Sequence, residues 1–145
     1  MTMLLEQEKG AYLLKPPMES LHHEVTEWLS ELDFCKAELA FLSKVLDKYF
    51  LRVKGSQKLS DLFVMEKKVK AFRSNALKEI HHVVIHHEQH LAALDEDKFS
   101  QDEQAIREEH RKHSERMKTF LGSIRKIKKE IFSFVEKELK QAKKK

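Results

Sequence analysis

The sequence predicts an all-α fold: an elongated, antiparallel, up-down-up bundle of three helices with coiled-coil-like heptad seams. Three observations predict it. Gly 3 and Pro 2 leave few breakers in 145 residues, and a composition 41% hydrophobic and 36% charged supplies both faces of long helices. Apolar residues recur in alternating steps of four and three over two long stretches. Breaks fall at KGSQ (Lys54–Gln57) and LDEDKFS (Leu94–Ser100), which divide the chain into three helical lengths. At 145 residues the chain makes one domain with a real core.

The elements follow in order. Residues 1–18 are an N-terminal segment closed by LLKPPMES, where Pro16 and Pro17 break the chain. A bundle over 19–140 then begins with a first helix at about 20–53. Its seam runs Leu21, Val25, Trp28, Leu32, Cys35, Leu39, Leu42, Leu46, Tyr49, Val53. Gly55 follows as the C-terminal cap, where a left-handed residue closes the last turn. The second helix covers about 58–94, with an inner line of Leu62, Met65, Val69, Phe72, Ala76, Ile80, Val83, His87 and Leu91. Ser100 and Glu103 make a capping box that starts the third helix, at about 100–139. Its seam is Ile106, His110, His113, Met117, Phe120, Ile124, Ile127, Ile131, Phe134, and residues 141–145 are a basic frayed tail.

Off the first seam lies a second apolar stripe, Phe34, Phe41 and Val45, which three helices would leave uncovered. Either the N-terminal Leu4, Leu5, Tyr12, Leu13 and Leu14 fold over it or a second copy of the chain does. A homodimer is the expectation.

The net charge of +4 is unevenly spread. Residues 1–50 carry 5 basic and 9 acidic side chains, and residues 101–145 carry 14 and 8. The acidic first helix and the basic third can pair within the molecule, which weighs against a nucleic-acid surface. The terminal KELKQAKKK has no aromatic residue on which a base could stack. One cysteine, Cys35, rules out an internal disulfide and suits a reducing compartment. No run of about 18 apolar residues exists to span a membrane, and MTMLLEQEKG is too short an apolar run for a secretory signal. A cytoplasmic protein without membrane partners is expected. There is no phosphate-cradling glycine loop and no nucleophile elbow, so no catalytic or cofactor-binding residue is assigned, and an enzyme is not the first expectation.

The stretch EWLSELDFCKAELAFLSKVL (Glu27–Leu46) resembles small bacterial helical-bundle proteins that have no assigned function. The resemblance covers the first helix alone. It implies a helical fold and no activity.

The histidines carry the remaining signal. Five of the nine lie in EIHHVVIHHEQH, Glu79–His90. Folding the chain back at each break brings His22, His23, His86, His87, His90, His110 and His113 toward one end of the bundle. His110 and His113 occupy seam positions where Leu or Ile would be ordinary, and Glu24, Glu27, Glu88 and Glu109 are nearby carboxylates. His86 and His90, at i and i+4, share a helix face and can grip one ion. Glu79 and His82 have the Glu-x-x-His spacing of di-iron carboxylate bundles, but those need two such pairs at one level plus two inward glutamates. The motif spacings of hemerythrin-type bundles are not matched, and no residue is carried over from either.

Three functional expectations result. The first is a non-enzymatic bundle acting through protein association, with Phe34, Phe41 and Val45 at the interface. The second is a metal-binding bundle, with His86, His90 and His110 as core ligands and His22, His87, His113 or a glutamate completing the shell around a transition metal such as zinc or iron. The third is weak, salt-dependent nucleic-acid binding by the basic third helix.

Overall fold

The computed structural model describes the backbone of residues 17–97 and 100–144 and the side chains of residues 17–93 and 103–141. Every described element is helical. Helix α1 is Met18–Val53, α2 is Lys58–Ala71, α3 is Leu77–Asp97 and α4 is Ser100–Lys144. A single π-helical turn, Phe72–Ala76, joins α2 to α3 without a break, so the two form one rod. The expected N-terminal segment, the Ser100–Glu103 capping box and the frayed tail fall largely outside the described side chains. No helix is long and apolar enough to cross a membrane among the described residues.

Helix α1 starts at Met18, just after Pro17, whose carbonyl accepts the Ser20 N–H at 2.9 Å. All ten of its buried residues are the ten seam positions from Leu21 to Val53. A 4–3 repeat keeps one stripe facing its neighbours over the full length of the helix. The helix stops because Gly55 turns left-handed at φ +83. Ser56 secures the corner: its hydroxyl donates to the Val53 carbonyl at 2.8 Å and accepts from the Lys58 N–H at 3.2 Å.

The rod α2–α3 departs from the sequence expectation. Leu62, Met65 and Val69 are buried as anticipated, but Phe72 and Ala76 are only half-buried. Beyond the π turn the buried line is Leu77, Ile80, Val84, His87, Leu91. Val83, expected inside, is half-buried, and Val84 takes its place. The arithmetic explains this. A heptad seam continued from Val69 would pass through positions 76, 79, 83, 86 and 90. A π turn inserts one residue, and each position moves on by one, to 77, 80, 84, 87 and 91. The insertion therefore rotates His87 inward and leaves His86 and His90 exposed.

Helix α4 buries His110, Met117, Phe120, Ile124, Ile127 and Ile131, with Ile106, His113 and Phe134 half-buried. It runs past the expected end near 139, to Lys144. Its seam extends to a buried Glu138, which Lys58 meets at 2.6 Å. Contacts between the rod and α4 join Lys58 to Glu138, Lys68 to Glu130, Glu79 to Arg116 and His87 to His110. Residue numbers fall on one helix as they rise on the other. Between α1 and α4 they rise together: Glu24 meets His110, Glu38 meets Lys128, and Arg52 meets the Glu138 carbonyl.

Candidate metal centre

Three elements deliver polar side chains to one level near the Met18 end of α1. The π turn puts His87 of α3 on the inner line. The α4 seam brings His110, with His113 at its edge. Helix α1 supplies Trp28 from its seam and Glu24 beside it. His87 is wholly buried and His110 is 5% exposed, so neither can rely on water for its hydrogen bonds.

Their ring nitrogens form a chain. His110 Nε2 lies 2.7 Å from Glu24 Oε2, and His110 Nδ1 lies 2.9 Å from His87 Nε2. Trp28 stacks on His110 with centroids 4.6 Å apart and an interplanar angle of 23°, which fixes the ring plane. The chain ends at His87 Nδ1, a buried nitrogen with no hydrogen-bond partner.

That nitrogen faces Glu109 and His113. Glu109 Oε1 is 3.8 Å from His87 Nδ1 and 3.4 Å from His113 Nε2, and the three residues each offer a ligand atom within 4.8 Å of the other two. The other Glu109 oxygen meets His90 Nδ1 at 3.2 Å. Burial, then the adjacent His110 and His113 rings, pushes the His87 pKa down to about 4, so it stays a neutral electron-pair donor. Burial pushes Glu109 up, but hydrogen bonds from His90 and His113 outweigh it and hold the carboxyl below its usual range. A neutral imidazole beside an ionised carboxylate and a second imidazole is a donor set for a borderline divalent cation.

The structure brings together a different three from the sequence expectation of His86, His90 and His110. His86 and His90 do meet, with rings 4.4 Å apart, but on the exposed face of α3. His110 has both nitrogens engaged, by Glu24 and by His87. His22 is half-buried on α1. His87 and His113, placed in the outer shell by the sequence, are the pair that converges. Glu109 is one of the four nearby carboxylates named from the sequence, where the shell was completed by a glutamate without saying which. Its signal was its position four before His113, on the same face of α4.

Of the expected interface residues, Phe34 and Phe41 are 68% and 56% exposed, and Val45 is half-buried against the core. A groove of about 1140 Å³ lies elsewhere, along α1 and the π turn, lined in part by Leu32, Leu77, Arg73, His81 and His82 and by none of the three converging donors. On α4, Arg111 pairs with Glu108 and Glu115, Arg116 with Glu79, and Lys128 with Glu38. Comparison of the chain with protein-family models, with curated proteins and with solved structures finds no match.

Proposed function

We propose that this chain is a metal-binding protein, built as an up-down-up three-helix bundle, that holds one divalent transition-metal ion through His87 Nδ1, the Glu109 carboxylate and His113 Nε2. The observation that carries the proposal is the buried, unpartnered His87 Nδ1 aimed at a carboxylate. A lone pair facing an anion is unfavourable on its own, and a cation between them satisfies both. Tetrahedral sites with bonds of about 2.1 Å separate their donors by about 3.4 Å. The Glu109 oxygen, at 3.4 and 3.8 Å from the two nitrogens, already lies near that spacing. Two imidazoles and one carboxylate suit zinc or iron, with water completing the shell. The falling and rising residue pairs along α1, α2–α3 and α4 support the bundle topology.

The test is to titrate zinc or nickel into metal-free, untagged protein and follow thermal unfolding. Binding to the folded state alone should stabilise by about 2.7 kcal/mol at a hundredfold excess over Kd. His87→Ala and His113→Ala should each remove the gain, and His86→Ala should keep it. No gain in the wild type at micromolar metal, or a gain that only His86→Ala removes, would refute the site.

A second reading rests on a separate observation. Phe34 and Phe41 are largely exposed on α1, and Phe132 and Leu139 of α4 are also exposed, at 45% and 48%. Apolar surface of this kind marks an interface. The chain is thus proposed to act without catalysis as a cytoplasmic homodimer, with Phe34, Phe41 and Val45 in the contact. Sedimentation should show a dimer that Phe41→Glu weakens, and a monomer at high concentration would contradict it. Nucleic acid is left out of the proposal; among the α4 cations, Arg111, Arg116 and Lys128 are paired with carboxylates.

A further inference from the structure

We infer that Glu24 is a positioning residue for the metal centre: acting through His110, it sets the direction of the hydrogen-bond chain so that His87 Nδ1 is left bare to bind a divalent cation. The inference rests on the metal-binding reading and adds residues that touch no metal.

Counting the ring hydrogens gives the direction of the chain. An ionised carboxylate can only accept. Glu24 Oε2, at 2.7 Å, therefore requires the hydrogen of His110 to sit on Nε2. With a single ring hydrogen, His110 has a lone pair on Nδ1. At 2.9 Å that lone pair must accept from His87, so the His87 hydrogen sits on Nε2. Neutral His87 has one hydrogen only, and its Nδ1 is left as a lone pair. This is the atom found buried and without a partner.

The reverse direction is worse. It would set the His110 Nε2 lone pair against Glu24 Oε2 at 2.7 Å, acceptor against acceptor. Its only return would be a hydrogen on His87 Nδ1 facing Glu109 Oε1 at 3.8 Å, beyond hydrogen-bond distance. Between the two arrangements with one hydrogen on each ring, the short contact decides the direction.

The arrangement matches how metal-bound histidines are normally held, with the far ring N–H donated to a carboxylate, except that a second imidazole is interposed. Trp28 keeps that imidazole in plane, stacked at 4.6 Å.

Two measurements on the full chain test this. The first is nitrogen NMR of metal-free protein labelled with 15N-histidine, which reads each ring's tautomer. His87 and His110 should both carry hydrogen on Nε2. A hydrogen on His87 Nδ1, or a doubly protonated His110, overturns the inference. The second is the zinc affinity of Glu24→Gln, whose amide can accept or donate and so no longer dictates the direction. Its Kd should rise about 10- to 100-fold, while the metal-free Tm, which a merely structural role would move, stays the same. Glu27→Gln, whose carboxylate meets the surface His23 at 3.0 Å, should bind like the wild type. Wild-type affinity in Glu24→Gln overturns the inference while leaving the metal site standing. Absence of zinc binding in the wild type removes the site itself, and the tautomers still report whether Glu24 directs the chain.

Discussion

Val83 and Val84 are adjacent, identical and differently buried, so truncating each in turn reads the phase of α3. Val84 is 1% exposed, and Val83 is half-buried. Val→Ala removes two carbon atoms, worth about 0.8 kcal/mol each when fully buried. The cavity left at Val84, if about 40 Å³, adds about 1 kcal/mol at roughly 24 cal/mol per Å³. Alanine's better helix propensity returns about 0.5 kcal/mol at either site. Val84→Ala should therefore cost about 2 kcal/mol, and Val83→Ala, with half the transfer and no closed cavity, less than about 0.5 kcal/mol. Urea unfolding monitored by circular dichroism measures both, provided the m-value is unchanged. An equal or larger loss in Val83→Ala would mean that the helix runs through Phe72–Ala76 without an extra residue. His86 rather than His87 would then face the core, and the proposed metal centre would lose its buried donor.

Acid should destabilise the metal-free protein through His87, which His110, His113, His90 and Glu109 surround. Its folded pKa of about 4 lies below the ordinary 6.5, so below pH 6.5 the unfolded chain takes up a proton that the folded one refuses. Stability should hold above pH 7 and fall by about 3 kcal/mol as the pH drops to 4; a urea midpoint that is flat across this window would refute the burial of a neutral ring. Lys58→Ala should cost about 1–3 kcal/mol, because it strands Glu138 at 7% exposure, and Glu138→Leu in the same chain should recover most of it in urea unfolding. Cys35 is buried, and burial pushes its thiol up to about 11. Alkylation at pH 8 should run about two orders of magnitude slower than in urea, and equal rates would place it at the surface.

Much of the fold was legible because the signal was periodic. Leu21 to Val53 repeats without interruption, and a 4–3 pattern with Gly55 after it leaves one helix and one stop. His110 and His113 were legible for the same reason, as polar residues in the seam of α4. The rod α2–α3 was not. FRSNA contains no glycine or proline, and a π turn changes the phase without changing the helix. Its only mark in the sequence is arithmetic: a line drawn through Phe72, Ala76 and Ile80 needs two consecutive steps of four. Reading His86 and His90 as the grip followed from their shared face, which is real, but one inserted residue turned that face outward. Glu109 was visible as a nearby carboxylate but was not singled out as a ligand, because it sits one position before the seam residue His110. Glu24 was visible as a nearby carboxylate, but its contact with His110 depends on how α1 and α4 are rotated against each other, which a heptad pattern does not specify.

The most direct test of a metal centre between α3 and α4 is an anomalous difference map from crystals grown with stoichiometric zinc and recorded at the zinc edge. The account predicts one peak per chain about 2.0–2.2 Å from His87 Nδ1, His113 Nε2 and an oxygen of Glu109. A peak held only by His86 and His90 on the exposed face, or no peak at all, would contradict it.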